Sequence, residues 1–231
     1  MKPSYKTRVK ICCIASVNEA RMAIDHGADA IGLVSAMPSG PGPIAEELIA
    51  EIARSVPASI GTFLLTCKQD VSSIIAQQQF VRVNTIQICD RLVEGSYDDL
   101  RDALPGVKLV QVIHVTGDES VEEAIAIAPL VDSILLDSGN QSLAVKELGG
   151  TGRVHDWRLS RRIRESIDVP IFLAGGLKPE NVGQAIAEVR PFGVDVCSSL
   201  RPQGSLNRDL LASFFIAIDQ VRPDASKAII N

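Results

Sequence analysis

The stretch Ser133-Ile134-Leu135-Leu136-Asp137-Ser138 is an apolar run that ends in a carboxylate, and Gly149-Gly150-Thr151-Gly152 follows it in the chain. Short apolar runs of this kind are typical of strands that are buried on both faces of a parallel sheet. Enzymes built on parallel strands place their reacting side chains where those strands end. Asp137 is therefore a candidate catalytic residue, and the glycines after it form a candidate ligand-binding loop.

Runs rich in β-branched or apolar residues recur along the chain, at intervals that suit one strand followed by one helix. The predicted strands are 9–14, 30–35, 60–66, 85–90, 108–115, 133–138, 170–176 and 193–199. The predicted helices are 17–26, 44–55, 71–81, 97–103, 120–128, 156–167, 179–189 and 207–221. Eight strand–helix units predict the α/β class and a (β/α)8 TIM barrel. A doubly wound open sheet is the alternative, but it more often stops at about five or six strands.

Local signals mark several helix ends. Gly27 follows the first predicted helix, and Asp156 can cap the sixth. Lys178-Pro179-Glu180 predicts that the seventh helix opens with a proline at an early position. The tail 222–231 is polar, and we expect it to fray.

Composition favours one domain over residues 1–231. The chain has 231 residues, of which 46% are hydrophobic and 22% charged, so it can bury one large core. The net charge is −5 with both signs interspersed, which predicts neither a nucleic-acid nor a membrane partner. No apolar stretch is long enough for a membrane span, and residues 1–8 lack a signal-peptide core. We therefore expect a cytoplasmic protein, as a monomer or a homodimer.

The five cysteines are an odd number without C-x-x-C spacing, which predicts reduced thiols and neither a disulfide framework nor a zinc-ribbon-type site. They are Cys12, Cys13, Cys67, Cys89 and Cys197. Four of them fall at predicted strand ends, with His114 and Asp90 near them in the pattern. A thiolate metal site or a redox site on that face therefore remains an alternative.

The first strand delivers a thiol to the same end of the barrel as Asp137. Alternation along the strand places Lys10 and Cys12 on one face and Cys13 on the other, so Cys12 is predicted to point into the site. A free cysteine is also a common small core residue, which is the ordinary alternative.

Glycines and serines after the last two strands predict a phosphate site. Gly175, Gly176, Ser198 and Ser199 fall in the loops that bind sugar phosphates in many barrels, and Gly152 can add an amide from the sixth loop. Glycines used only for tight turns are the alternative. The predicted ligand is a small phosphorylated sugar.

Several segments, in order and spacing, resemble the phosphoribosylanthranilate isomerase family over nearly the whole chain. They are Lys10-Ile11-Cys12, Ile86-Gln87, Leu135-Leu136-Asp137-Ser138, Gly149-Gly150-Thr151-Gly152, Asp156-Trp157, Leu173-Ala174-Gly175-Gly176-Leu177, Asn181-Val182 and Gly193-Val194-Asp195-Val196.

The resemblance implies an Amadori rearrangement in tryptophan biosynthesis, which converts the ribosylamine phosphate of anthranilate into a 1-amino-1-deoxyribulose phosphate without a cofactor or metal. It implies that Asp137 is the general acid that protonates the ribose ring oxygen. It also implies that Cys12 is the general base that takes the proton from C2. Lys10 or nearby loop amides are expected to lower the pKa of Cys12.

The chain departs from the family pattern at the end that recognises anthranilate. Pro41 stands where the family has an arginine that pairs with the anthranilate carboxylate, and Cys13 stands in place of a glycine. Arg91 or Lys68 are candidates to replace that arginine, and Lys10, Cys89 and His114 are further candidate substrate contacts. Two alternatives stay open: an isomerase of another ribosyl phosphate, and a sugar-phosphate-binding barrel without catalysis.

Overall fold

Eight parallel strands close into one barrel in chain order, β1 beside β2 and so on to β8, which pairs with β1. The structure is a computed structural model and describes residues 6–140 and 143–221; the tail 222–231 lies outside them. The strands are β1 (Arg8–Ile11), β2 (Ala30–Val34), β3 (Gly61–Thr66), β4 (Thr85–Ile88), β5 (Lys108–His114), β6 (Ser133–Asp137), β7 (Ile171–Leu173) and β8 (Gly193–Val196). The prediction of an α/β barrel with eight strands is confirmed.

A helix follows each strand and packs on the outside of the barrel. The helices are α1 (Val17–Asp25), α2 (Glu46–Ser55), α3 (Val71–Val81), α4 (Tyr97–Ala103), α5 (Glu119–Ile127), α6 (Trp157–Ser166), α7 (Val182–Val189) and α8 (Arg208–Asp219). Side-chain caps fix several starts: Ser16 accepts from the backbone N–H of Glu19 at α1, and Asp156 accepts from that of Arg158 at α6. Within the described residues, no helix combines the length and apolar character needed to cross a membrane.

Helix α7 begins later than the sequence predicts. The predicted start at Pro179 is wrong, because residues 179–181 form a turn and the helix starts at Val182. The side chain of Asn181 stabilises this turn, since it accepts from the backbone N–H of Lys178 at 2.8 Å and donates to the carbonyl of Gly176 at 3.0 Å. An asparagine that bonds neighbouring backbone in this way competes with helix formation.

Strands β1 and β7 end earlier than predicted, for a conformational reason. The predicted strand 170–176 ends at Leu173, and Gly175 and Gly176 have φ angles of +81° and +61°. The predicted strand 9–14 ends at Ile11, and Cys13 has a φ of +60°. A residue in the left-handed backbone conformation cannot continue the hydrogen-bonding pattern of a β-strand, so the chain leaves the barrel at these positions.

The barrel interior is filled near the start of the strands and open at their carboxyl ends. Phe63 and Phe172 pack edge to face inside the barrel with ring centroids 5.7 Å apart. Above them Lys10 on β1 lies in register with Asp195 on β8. The side chains that follow these positions reach the catalytic end of a barrel of this type.

Candidate active site

A cleft that is partly open to solvent lies at the carboxyl ends of the strands. Its wall includes Cys12 from the end of β1 and Asp137 from the end of β6. These strands are not neighbours in the barrel, so the thiol and the carboxyl group approach the cleft from different sides. The two residues predicted to be base and acid are thus brought to one cavity.

Asp137 is the last residue of β6 and is 8% exposed. Its Oδ1 accepts a hydrogen bond from the backbone N–H of Ser138 at 2.7 Å. A Cβ atom built on Gly149 would lie 2.9 Å from Oδ2, so the glycine leaves room beside this second oxygen. The Ser138 hydroxyl lies 2.7 Å from that of Thr151 and ties the glycine-rich loop to the strand.

Cys12 follows β1 and is held by the adjacent strand, because its backbone N–H donates to the carbonyl of Val196 at 2.8 Å. Its Sγ lies 3.6 Å from Nζ of Lys10. Gly32 on β2 makes space for this thiol, since an added Cβ there would lie 2.7 Å from the Cys12 sulfur. The packing around Cys12 therefore leaves its sulfur little freedom to move.

Lys10 forms a buried ion pair below the thiol. Its side chain is fully buried, and its Nζ donates to Oδ2 of Asp195 at 2.8 Å. Burial lowers the pKa of Lys10, but the charge of Asp195 and the nearby thiols outweigh burial and raise that pKa above its usual value. Lys10 is thus a permanent cation beside Cys12.

The pKa of Cys12 is raised, which differs from the expectation that Lys10 or loop amides would lower it. A hydrogen bond with Cys13 and burial raise the pKa, and the charge of Lys10, which lowers it, does not outweigh them. The unliganded protein therefore holds Cys12 as a thiol at neutral pH.

Cys13 also reaches the cleft, so the prediction that it faces away from Cys12 is wrong. Strand alternation does not apply because β1 ends at Ile11 and Cys13 adopts a left-handed conformation. Its thiol lies 3.6 Å from the carbonyl oxygen of Pro41, in the loop after β2. A thiol thus occupies the position where the resemblance implies a glycine.

One end of the cleft, called the glycine end here, is lined by Gly152, Gly175, Gly176 and Ser198. The three glycines have positive φ angles between +61° and +81°, which turn the backbone of two loops toward each other. Ser199, also predicted to bind phosphate, is not in the wall, since its hydroxyl donates to the carbonyl of Leu177 at 2.6 Å. Exposed backbone amides at such turns are suited to an anion.

The opposite end, called the apolar end here, is lined by Val34, Met37, Leu65 and Leu148. Two loops cover it: residues 37–43 after β2 and residues 143–152 after β6. The hydroxyl of Ser39 donates to the carbonyl of Lys146 at 2.6 Å, which joins these loops. The shape suits a flat apolar group.

The other candidate residues lie in different surroundings. Cys89 is in the wall of the cleft, whereas Arg91 pairs with Glu123 on the surface through two hydrogen bonds of 3.0 Å. His114 is buried with Nε2 3.2 Å from the carbonyl oxygen of Cys89, and it does not line the cleft. In residues 6–140 and 143–221, no group of three metal-binding side chains is arranged to hold an ion.

Asp195 is a lining residue that the sequence did not single out. Its Oδ1 is buried without a hydrogen-bond partner among the described residues, while Oδ2 accepts from Lys10. The predicted barrel already contained the information needed to find Asp195. Its closure pairs β8 with β1, which brings Asp195 into register with Lys10. A buried acceptor without a partner is costly unless a ligand or water satisfies it.

Comparison with known proteins agrees with the geometry. A family model described as N-(5'phosphoribosyl)anthranilate (PRA) isomerase matches residues 9–217. An N-(5'-phosphoribosyl)anthranilate isomerase of Methanosarcina mazei is 34% identical over 210 residues, which cover 90% of this chain and 92% of the relative. The solved phosphoribosyl anthranilate isomerase of Thermotoga maritima aligns with a TM-score of 0.78 and 27% identity, covering 93% of this chain and 99% of that one.

Another solved phosphoribosyl anthranilate isomerase is in complex with reduced 1-(o-carboxyphenylamino)-1-deoxyribulose 5-phosphate. It aligns with a TM-score of 0.75 and 26% identity, and covers 93% of this chain and 99% of the other. That ligand has a carboxyphenyl group at one end and a phosphate at the other.

Proposed function

The chain belongs to the N-(5'-phosphoribosyl)anthranilate isomerase family, and from this premise we propose how its barrel isomerises N-(5'-phosphoribosyl)anthranilate in tryptophan biosynthesis. Cys12 is the general base and Asp137 the general acid. One observation carries the assignment: a thiol and a carboxyl group from opposite parts of the barrel line the same cleft, between an apolar end and a glycine end.

Asp137 starts the reaction by donating its proton to the ring oxygen of the ribose. The bond between C1 and this oxygen breaks, and the nitrogen lone pair forms the C1–N double bond of an iminium ion. A carboxyl group can do this only in its protonated form. The neighbouring Gly149 leaves space at Oδ2, so this oxygen is the one placed to reach the substrate.

Cys12 completes the proton transfers. Cys12 reacts in its deprotonated form, which is the minor form at neutral pH because its pKa is raised. This thiolate takes the proton from C2, the electron pair moves into the C1–C2 bond, and the iminium ion becomes an enolamine that tautomerises to the ketone product. The Lys10 ammonium lies 3.6 Å from the sulfur and favours the thiolate form, from which the base acts. No oxidant or reductant is consumed, because the aldose and the ketose are isomers.

The remaining groups hold the substrate. The backbone at Gly152, Gly175, Gly176 and Ser198 binds the phosphate, and the apolar end takes the aromatic ring. Asp195 accepts a hydrogen bond from a sugar hydroxyl through Oδ1, which the described residues leave without a partner. Anchoring both ends of the substrate aligns the ring oxygen and C2 with the acid and the base.

Turnover of N-(5'-phosphoribosyl)anthranilate by the purified protein tests the proposal, with substrate and product separated by chromatography. Cys12→Ser and Asp137→Asn are each expected to lower kcat at least about 100-fold. Two matched controls leave kcat near wild type: Cys67→Ser, whose thiol lies outside the cleft wall, and Asp168→Asn on the exposed surface. Unchanged kcat in both active-site variants would contradict the roles assigned here.

A wild-type protein without turnover would contradict the reaction itself. An isomerase of a different ribosyl phosphate would then show activity with another N-ribosyl substrate, and a binding barrel would take up the phosphorylated sugar without converting it.

We further propose that the protein acts in the cytoplasm as a monomer or a homodimer. Light scattering on the purified protein decides between these two assemblies.

A further inference from the structure

Among residues 6–140 and 143–221, no cation lines the apolar end of the cleft, although the substrate proposed above carries a carboxylate there. The charged side chains of the described wall are Asp137 and Asp195, and both are acidic. A carboxylate that leaves water for aliphatic surroundings needs a charged or hydrogen-bonding partner. A cationic partner must therefore come from a residue just beyond the wall.

Lys146 is tied to the wall at three points. Its carbonyl oxygen accepts from the hydroxyl of Ser39, and Leu148 lies two residues further along the same loop. Its ammonium donates to Oδ2 of Asp90 at 2.5 Å, and Asp90 directly follows the wall residue Cys89. Wall residues therefore flank Lys146 from the loops after β2 and β6 and from the end of β4.

Asp90 holds the Lys146 ammonium at the rim of the cleft. The Asp90 side chain is 6% exposed, and its Oδ1 accepts from the backbone N–H of Arg91 at 2.9 Å, so its position is fixed. The Lys146 side chain is 36% exposed, so the protein does not enclose it. An ammonium has three N–H donors, and within the described residues Asp90 uses one of them.

Other basic residues at this face are already paired or lie elsewhere. Arg91 forms its two hydrogen bonds with Glu123 and is 66% exposed on the surface. Arg153 follows Gly152, and its guanidinium pairs with the carboxylate of Glu147. Lys68 comes after β3 and is the remaining candidate at this rim, so the test must include it.

We propose that Lys146 binds the carboxylate of the aromatic group, with Asp90 positioning its ammonium, in place of an arginine from the loop after β2. This inference rests on the proposed function. A lysine that bridges Asp90 and the substrate uses its free donors without giving up its existing bond. In the family pattern the carboxylate contact comes from the loop after β2, which is residues 37–43 here. In this protein it would come from the loop of residues 143–152.

Binding of two ligands by titration calorimetry tests the inference. One is reduced 1-(o-carboxyphenylamino)-1-deoxyribulose 5-phosphate, and the other is the same compound without the carboxyl group. The wild type is expected to bind the first about ten- to a hundredfold more tightly. Lys146→Met should bring this ratio close to one and leave the affinity for the second ligand unchanged.

Controls separate this role from a structural one. Lys108→Met, on the exposed start of β5, should keep the wild-type ratio. Lys146→Gln, which keeps a donor but no charge, should give a lower ratio than the wild type, and circular dichroism checks that both Lys146 variants are folded. In steady-state assays, Lys146→Met should raise KM about ten- to a hundredfold and change kcat little.

Three outcomes overturn the inference. An unchanged ligand ratio in Lys146→Met would do so, as would an equal loss of affinity for both ligands. Loss of the ratio in Lys68→Met but not in Lys146→Met would assign the contact to Lys68. A wild-type protein that binds neither ligand contradicts the proposed function as well, whereas the first three results leave that function intact.

Discussion

Nζ of Lys10 and Oδ2 of Asp195 lie 2.8 Å apart, although 185 residues separate them in the chain. The lysine side chain is fully buried and that of the aspartate is 8% exposed. The pair joins the first strand of the barrel to the last and lies directly below the sulfur of Cys12. Its position links the stability of the barrel to the chemistry of the cleft.

We predict that Lys10→Met destabilises the protein by about 3–5 kcal/mol, because it leaves the buried Asp195 carboxylate without its cation. Urea unfolding followed by circular dichroism measures the loss. Replacing both residues, as Lys10→Met with Asp195→Leu, should cost clearly less than the single change. Arg8 lies on β1 like Lys10 and forms a more exposed ion pair with Asp29. Arg8→Met is therefore the matched control and should cost about 1 kcal/mol or less.

Variants of Cys13 should shift the pH profile of the reaction. The hydrogen bond with Cys13 is the largest cause that raises the pKa of Cys12. Cys12 acts as a base in its deprotonated form, so kcat/KM rises with pH through this pKa, and a lower pKa moves the rise to lower pH. Both Cys13→Gly and Cys13→Ala should therefore be more active near pH 7 than the wild type.

The two Cys13 variants also separate the thiol from the backbone. Alanine keeps a Cβ at the φ of +60°, whereas glycine adopts this conformation without strain. If the thiol controls Cys12, both variants move the profile by a similar amount. A shift in Cys13→Gly alone would mean that loop conformation, and not the hydrogen bond, is responsible.

Gly32→Ala should lower kcat about 100-fold and change KM little. The added Cβ would lie 2.7 Å from the Cys12 sulfur and 3.1 Å from its Cα, so the base must move. Displacing a reacting group by about an ångström is enough for a loss of this size. Gly183→Ala in α7, where the nearest atom would be 3.4 Å away, is the control and should leave both constants near wild type.

The stability of the protein should fall on acidification, and His155 should account for part of the fall. Burial lowers the pKa of His155 to about 4. An unfolded histidine titrates near 6.5, so between pH 6.5 and 4 the unfolded state binds more protons and stability decreases as pH decreases. Between pH 8 and pH 5 this amounts to about 2 kcal/mol.

His155→Phe, measured by urea unfolding at pH 8 and pH 5, tests this contribution. The aromatic replacement cannot titrate, so the difference between the two pH values should shrink by about 2 kcal/mol relative to wild type. An unaltered pH dependence in the His155 variant would mean that the carboxylates alone cause it.

The sequence predicted the barrel because its strands are short apolar runs at regular intervals, and all residues of β2 and β6 are indeed buried. It missed where β1 and β7 end, because Cys13 and Gly176 leave the ladder through left-handed conformations. Apolar patterning reports burial, but it does not report the backbone angles of loop residues.

The position of Cys12 and Asp137 in one cleft follows from reading both as strand-end residues of the same barrel. Their roles stay predictions until the variants are assayed. Lys146 was not singled out, because its contacts depend on how the loops at 37–43 and 143–152 meet over the cleft. Such contacts between distant loops leave no periodic pattern in the chain.

The bond between the first and last strands also sets an order of events during synthesis. A nascent chain that has not reached residue 195 would have to desolvate the Lys10 ammonium without an anion, at a cost of several kcal/mol. We therefore expect the burial of Lys10 on β1 to be completed only when Asp195 on β8 is available to pair with it. The thiol of Cys12 and the carboxyl group of Asp137 then share a cleft only in a finished molecule.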